Sequence, residues 1–284
     1  MANKLKIMFV LLVAMLSGCT STLDFNGFFL PTDLVDSRFV QSDQWNQTHP
    51  FKNLVVSSEN YQLLVAADSH IGPVGNFNKF LTEASKPENT AFVMVGDNVT
   101  GHKEDYLVLK TLLPDFNQVH YFLMAGNHDL YFNGWKSFYA DFGSSTYYFT
   151  VQTPTESDLY ICLDSGSGTL GSKQLDWLKN VLANKRANYR NCVVFSHVNF
   201  FRNRHTGSTN PLVDELYVLM DLFERYKVNM VISGHDHVRS INNFGFTTYI
   251  TMDALQDANT NASYLKLKVN AEKVGYEYID LKSL

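Results

Sequence analysis

The chain has 284 residues, 23 basic against 28 acidic, with 45% hydrophobic and 14% aromatic side chains. Such apolar content excludes a disordered chain, because there is ample surface to bury against the entropy cost of folding. A net charge of −5 argues against a protein that coats nucleic acid, and three cysteines are too few for a disulfide scaffold.

Lys4 and Lys6 precede an apolar run over residues 7–16, closed by Leu16-Ser17-Gly18-Cys19. A charged start, a short apolar centre and small residues at the end predict a secretory signal over residues 1–18. Ten apolar residues rise only about 15 Å as a helix, half of a ~30 Å hydrocarbon core, which makes a poor permanent span. The Leu-Ser-Gly-Cys ending resembles the lipobox of bacterial lipoproteins, in which the signal is cut before the cysteine and that cysteine is acylated. The resemblance implies an exported chain starting at Cys19 and held by lipid at a bacterial membrane, on its periplasmic face or at the cell surface. Its 21 basic and 28 acidic residues would not themselves seek an anionic surface.

Residues 19–60 are expected to be an anchor or linker followed by an N-terminal extension. Phe25, Phe28, Phe29, Phe39, Trp45 and Phe51 make this stretch too aromatic for a solvated tether, so most of it is expected to pack along the domain. From residue 61 to 284 a single domain is predicted. Short apolar runs at 63–67, 91–95, 121–125, 159–163, 192–195 and 228–232 read as buried strands. Amphipathic segments at 76–85, 103–113, 136–142, 172–185 and 212–226 read as helices between them. After residue 246, stretches at 246–252, 264–269 and 274–279 lack intervening helices, which predicts antiparallel strands completing a second sheet. Cys162 and Cys192 lie in apolar runs; they are either buried thiols or, in an oxidising compartment, a disulfide.

Five of the apolar runs end in polar turns: Asp68-Ser69-His70, Gly96-Asp97-Asn98, Gly126-Asn127-His128-Asp129, Ser196-His197 and Gly234-His235-Asp236-His237. Five of the nine histidines fall there, while His49, His102, His120 and His205 do not. In an α/β sheet, the carboxyl ends of parallel strands deliver their loops to one edge, so these side chains are expected to meet. A buried cluster of Asp and His without compensation is costly, and divalent metal supplies the compensation. Asp68, His70, Asp97, Asn127, His197, His235 and His237 give seven donors, too many for one tetrahedral zinc with an open position. If one carboxylate bridges, two ions have four protein donors each. Imidazole mixed with carboxylate and carboxamide oxygen suits Mn, Zn, Fe or Ni rather than calcium. Two divalent ions would leave a positive surplus at the site and attract an anionic group.

At these residues the sequence resembles the calcineurin-like metallophosphoesterase family, whose pattern is Asp-x-His, Gly-Asp, Gly-Asn-His-(Asp/Glu), His and Gly-His-x-His in this order. The resemblance implies an α/β fold with a two-sheet mixed β-sandwich flanked by helices. By residue-for-residue transfer, Asp68, His70, Asp97 and His237 would hold the first ion. Asp97, Asn127, His197 and His235 would hold the second, with Asp97 bridging. A metal-bridging hydroxide would then attack the phosphorus of a phosphomonoester or phosphodiester. His128 would stabilise the transition state or protonate the leaving oxygen, with Asp129 setting its tautomer or, alternatively, capping the next helix. Asp236 is either a solvated loop residue or a partner to the ligands beside it.

The loop 199–205 follows a predicted ligand, so Arg202 and Arg204 are candidates to contact phosphate, unless the loop is merely solvated. The Gly/Ser turn at 164–168 and the aromatic turn at 131–135 are further candidate walls. Short loops and an acidic body favour a small or extended phosphoester, not nucleic acid. A non-catalytic surface-binding lipoprotein on the same scaffold is the alternative; it would hold metal yet leave phosphoesters intact.

Overall fold

The computed structural model describes residues 34–49, 53–202 and 209–284. The signal, the lipobox with Cys19, and Arg204 therefore lie outside the described residues. In chain order the elements are α1 (Val35–Thr48), β1 (Asn53–Val55), β2 (Tyr61–Ala66), α2 (Gly75–Ala84), β3 (Ala91–Val95), α3 (Lys103–Leu112) and β4 (Tyr121–Met124). A 3-10 turn (His128–Asn133) leads into α4 (Trp135–Phe142), then β5 (Tyr147–Gln152), β6 (Ser157–Leu163), α5 (Gly171–Lys185) and β7 (Cys192–Ser196). The chain closes with α6 (Val213–Arg225), β8 (Met230–Ser233), β9 (Ser240–Phe244), β10 (Thr247–Thr251), β11 (Ser263–Val269) and β12 (Val274–Asp280).

Two mixed sheets face each other. One has seven strands in the order β1-β5-β6-β7-β8-β10-β9, the other five in the order β12-β11-β2-β3-β4. Val65, Val93, Phe149, Tyr160, Val193, Ile232 and Leu265 fill the space between them. Phe80, Phe92, Tyr106 and Phe138 join α2, α3 and α4 to the outer face of the five-stranded sheet. Leu178, Leu182, Leu222 and Phe223 join α5 and α6 to the other sheet. A central strand covered on both faces must be apolar throughout, and all five residues of β3 are buried.

The parallel strands β2, β3, β4, β7 and β8 end at the same edge, where the five polar turns follow them. Of the final strands, β11 and β12 complete the five-stranded sheet in the expected antiparallel manner, and β9 and β10 join the other sheet. β10 pairs parallel with β8, whereas β11 pairs antiparallel with both β2 and β12. They are therefore divided between the two sheets, each covering an edge left by the αβ repeats.

Three elements depart from the apolar pattern. α1 turns Arg38 and Ser42 inward, and Arg38 is fully buried with its Nε 2.7 Å from an Asp164 carboxylate oxygen. A helix anchored by a buried ion pair has no apolar stripe to betray it. β9 is an exposed edge strand, and β5 follows α4 within a few residues. Cys162 and Cys192 are free and buried. Leu159, not Cys162, stands opposite Cys192, so the two thiols point to opposite faces of the seven-stranded sheet. That geometry answers the disulfide question: the two cannot bond. Among the described residues, no helix is long and apolar enough to cross a membrane.

Candidate metal centre

The strand-end turns are folded so that their side chains converge, and the backbone bears the strain. Asp68, His70, Asp97, His235 and His237 have φ of 55°, 41°, 50°, 72° and 61°. L-residues avoid this left-handed region at a cost of about 1–2 kcal/mol each, and such strain persists only where surrounding structure fixes it. Here the turns hold one another: His70 N–H donates to the Asp97 carbonyl at 3.0 Å, Asp68 N–H to that of Gly96 at 3.0 Å, and Gly234 N–H to that of His197 at 3.0 Å. Gly96 takes φ 79°, and a Cβ there would lie 2.6 Å from the His197 ring. The glycine of Gly-Asp is thus a requirement of space as well as of conformation.

Two groups of donors result. Asp68, His70, Asp97 and His237 offer ligand atoms that lie within 4.8 Å of one another, as do Asp97, His197 and His235. Asp97 belongs to both. His70 Nε2 lies 3.2 Å from His237 Nε2 and 3.8 Å from Asp97 Oδ2, and His237 Nε2 lies 3.4 Å from Asp68 Oδ1. His197 Nε2 sits 3.3 Å from Asp97 Oδ2 and 3.2 Å from Asn127 Oδ1, which adds the carboxamide to the second group. Asp68, Asp97, Asn127, His197 and His235 are buried, and two buried carboxylates among imidazoles are the donor chemistry that divalent cations compensate. All seven predicted donors are brought together.

The protonation of four of these donors favours binding, and that of His197 opposes it. Burial alone would raise the Asp97 carboxyl, but His197, His128 and His70 around it hold it well below the usual carboxylate range. Asp68 is likewise lowered against its burial, chiefly by the His237 bond and by His197. Burial pushes His70 down to about 4, against the pull of Asp97, and does the same to His235 with His197 adding to it. Both are therefore neutral at physiological pH, as a ligand must be. His197 goes the other way, to about 10, because Asp97 and Asp68 outweigh its burial. Its Nδ1–H donates to the Val95 carbonyl at 2.8 Å, which directs Nε2 at the cluster.

His128 stands beside the first group, its ring 4.6 Å edge-on from that of His70, while its backbone N–H donates to Asp97 Oδ1 at 2.7 Å. Asp129 does not have the expected role. Its carboxylate accepts from Gly126 N–H (2.8 Å), Asn98 N–H (3.1 Å), Asn98 Nδ2 (3.0 Å) and Val99 N–H (3.1 Å), so it binds the Asp97 turn to the Asn127 turn. These bonds, three from main-chain N–H groups and one from the Asn98 side chain, occupy the carboxylate in place of the His128 contact and the helix cap. Burial and Asp97 push its carboxyl up to about 7, although those N–H groups pull downward.

Arg202 also differs from its expected part as a phosphate contact. Its Nε lies 3.0 Å from Asp236 Oδ1, and with side chains only 7% and 9% exposed the two form an inward-facing pair. Two positioning contacts escaped the sequence reading. Asn127 Nδ2 donates to the Tyr131 hydroxyl at 3.1 Å, which turns Oδ1 toward His197, and the Gln256 amide lies 3.2 Å from His237 Nδ1. Tyr131 is four residues from a predicted ligand and was legible only as part of an aromatic rim; Gln256 carries no local signal.

A two-sheet α/β sandwich with Asp, Asn and His donors gathered at its strand ends is the architecture of a metal-binding phosphoesterase. Residues 61–239 match the profile of the calcineurin-like phosphoesterases, and the chain belongs to that family. No curated protein matches the sequence. Among solved structures, GAP50, described as the anchor in the inner membrane complex of Plasmodium, is similar at TM-score 0.60 and 12% identity, covering 78% of this chain and 85% of its own. A dimetal phosphatase from Danio rerio is similar at TM-score 0.59 and 11% identity, covering 78% and 96%. A 5′-nucleotidase, so assigned provisionally, from Staphylococcus aureus reaches TM-score 0.52 at 14% identity, covering 78% of this chain but only 54% of its own. At these identities the likeness is one of fold.

Proposed function

We propose that the chain is a phosphoester hydrolase working with two divalent ions, exported and held at a bacterial membrane by lipid on Cys19. The observation that carries the reading is the sharing of Asp97 between two donor groups. Asp68, His70, Asp97 and His237 would hold one ion, and Asp97, Asn127, His197 and His235 the other. When bound, the ions would supply Lewis acidity toward a phosphoryl oxygen and an activated water as nucleophile.

The chain's own residues do the rest. Asp68 and Asp97, kept ionised, bring negative charge to where the cations would sit, and His70 and His235, kept neutral, bring lone pairs. His128, whose ring lies beside that of His70 in the first group, would give a proton to the departing oxygen or hydrogen-bond a phosphoryl oxygen as its charge grows. The left-handed backbone of five donors, locked by bonds between turns, keeps the constellation rigid while charge redistributes.

The reading is tested on chelator-stripped protein reloaded with manganese or zinc and assayed on an aryl phosphate and a bis-aryl phosphodiester. Metal-dependent turnover of either ester is expected. Asp97→Ala should lose turnover together with metal, and His128→Ala should lose turnover while keeping it. Metal-loaded protein inert on a broad phosphoester panel would instead indicate the non-catalytic binder.

A further inference from the structure

His235 is bonded to a segment outside the strand-end turns. Its backbone is left-handed, with φ 72°, and its turn is joined to two separate segments by one guanidinium. The His235 Nε2 lies 2.8 Å from the Thr209 carbonyl oxygen. A carbonyl only accepts, so Nε2 carries the proton, and in the neutral ring Nδ1 is then the nitrogen with the lone pair. Arg202 Nη1 donates to that same carbonyl and to Asn210 Oδ1 at 2.6 Å, while its Nε is spent on Asp236, the residue between the two histidines. Asp236 Oδ2 accepts from Asn199 Nδ2 at 2.8 Å, and Asn199 is two residues past His197. One planar cation thus ties the His197 turn, the Gly-His-Asp-His turn and residues 209–210 together. The fork geometry of arginine suits this; a lysine ammonium is a single point with one short reach.

We propose that Arg202 is a positioning residue for the second donor group: through Asp236 and the Thr209 carbonyl it fixes the tautomer and orientation of His235. The proposal rests on the two-ion reading. It also removes Arg202 from the phosphate-binding role that its place in the sequence suggests, because its Nε and Nη1 are already engaged with a carboxylate and a carbonyl. Partners of this kind are typically worth about 10–100-fold in metal affinity.

The test is calorimetric titration of the chelator-stripped full-length protein with Mn²⁺, followed by kinetics on a bis-aryl phosphodiester. Wild-type protein should bind two ions, and His235→Ala identifies which step belongs to the second group. Arg202→Ala and Asp236→Asn should weaken that step about 10–100-fold and leave the other unchanged. At saturating Mn²⁺ the Arg202→Ala protein should recover kcat with KM unaltered. Arg202→Lys keeps the charge beside Asp236 but not the arm to Thr209, and it is the variant least exposed to misfolding. It should weaken the same step several-fold, and wild-type affinity in folded Arg202→Lys overturns the proposal. So does an Arg202→Ala protein with both affinities intact and a raised KM, which returns Arg202 to phosphate binding. Wild-type protein that binds a single ion sinks the two-ion reading and this proposal together; two ions with unaltered variants sink this proposal alone.

Discussion

Replacing Asp129 by alanine separates two roles that a carboxylate beside His128 can have. Oδ2 accepts from Gly126 N–H, Asn98 N–H and Asn98 Nδ2, and Oδ1 from Val99 N–H. Asn98 Nδ2 has a second acceptor in the Met124 carbonyl at 2.8 Å, so the loss falls mainly on three buried main-chain donors. A buried donor left unsatisfied costs about 1–3 kcal/mol, and water entering the space left by the side chain holds the total to the lower half of the range, about 3–6 kcal/mol. Against a typical stability of about 5–15 kcal/mol this is severe. Asp129→Asn should cost less, because an amide oxygen in the Oδ2 position keeps three bonds and only Val99 N–H meets another donor: about 1–3 kcal/mol. Urea unfolding of the wild type and both variants, with metal affinity measured in parallel, gives the series directly. Metal binding should weaken in step, since Asn98 adjoins the shared ligand Asp97. If Asp129→Ala unfolds within about 1 kcal/mol of wild type while kcat collapses, the clamp is wrong and the carboxylate works on His128 after all.

Other consequences follow from the same geometry. Gly96→Ala places a Cβ 2.6 Å from the His197 ring on a left-handed backbone, so a folded variant should bind fewer ions, read by elemental analysis. In the metal-free protein the His197–Asp97 pair, with the imidazolium raised from 6.5 to about 10, contributes stability that is complete below pH 6.5 and lost as pH rises through about 10. Because a ligand nitrogen must shed its proton, metal binding at pH 7.5 should release about one proton from this group, measured by calorimetry in buffers of different ionisation enthalpy; zero release contradicts the assignment. Cys162 and Cys192, buried thiols whose acidity is suppressed by burial, should resist a thiol reagent in the native protein and both react on unfolding without reductant.

The donors were legible because each directly follows a short apolar run, and buried parallel strands that end at one edge leave little choice about where such residues go. The five αβ repeats were readable for the same reason, their periodicity being set by burial on one or two faces. What escaped was held by polar contacts between distant residues. α1 packs through Arg38 and Asp164, 126 positions apart, and offers no apolar stripe. Arg202 read as a free cation because its partner Asp236 lies 34 residues away, and Asp129 read as a partner for its neighbour because its partners are mostly main-chain N–H groups, which no side-chain pattern displays. The final strands read as antiparallel from their lack of helices, but β10 returns through β9 and pairs parallel with β8.

Anomalous diffraction from crystals soaked in manganese tests the shared role of Asp97 most directly. Two peaks about 3.5–4 Å apart, both touching the Asp97 carboxylate, are the expected result. One peak, or a pair of which only one member contacts Asp97, would contradict it.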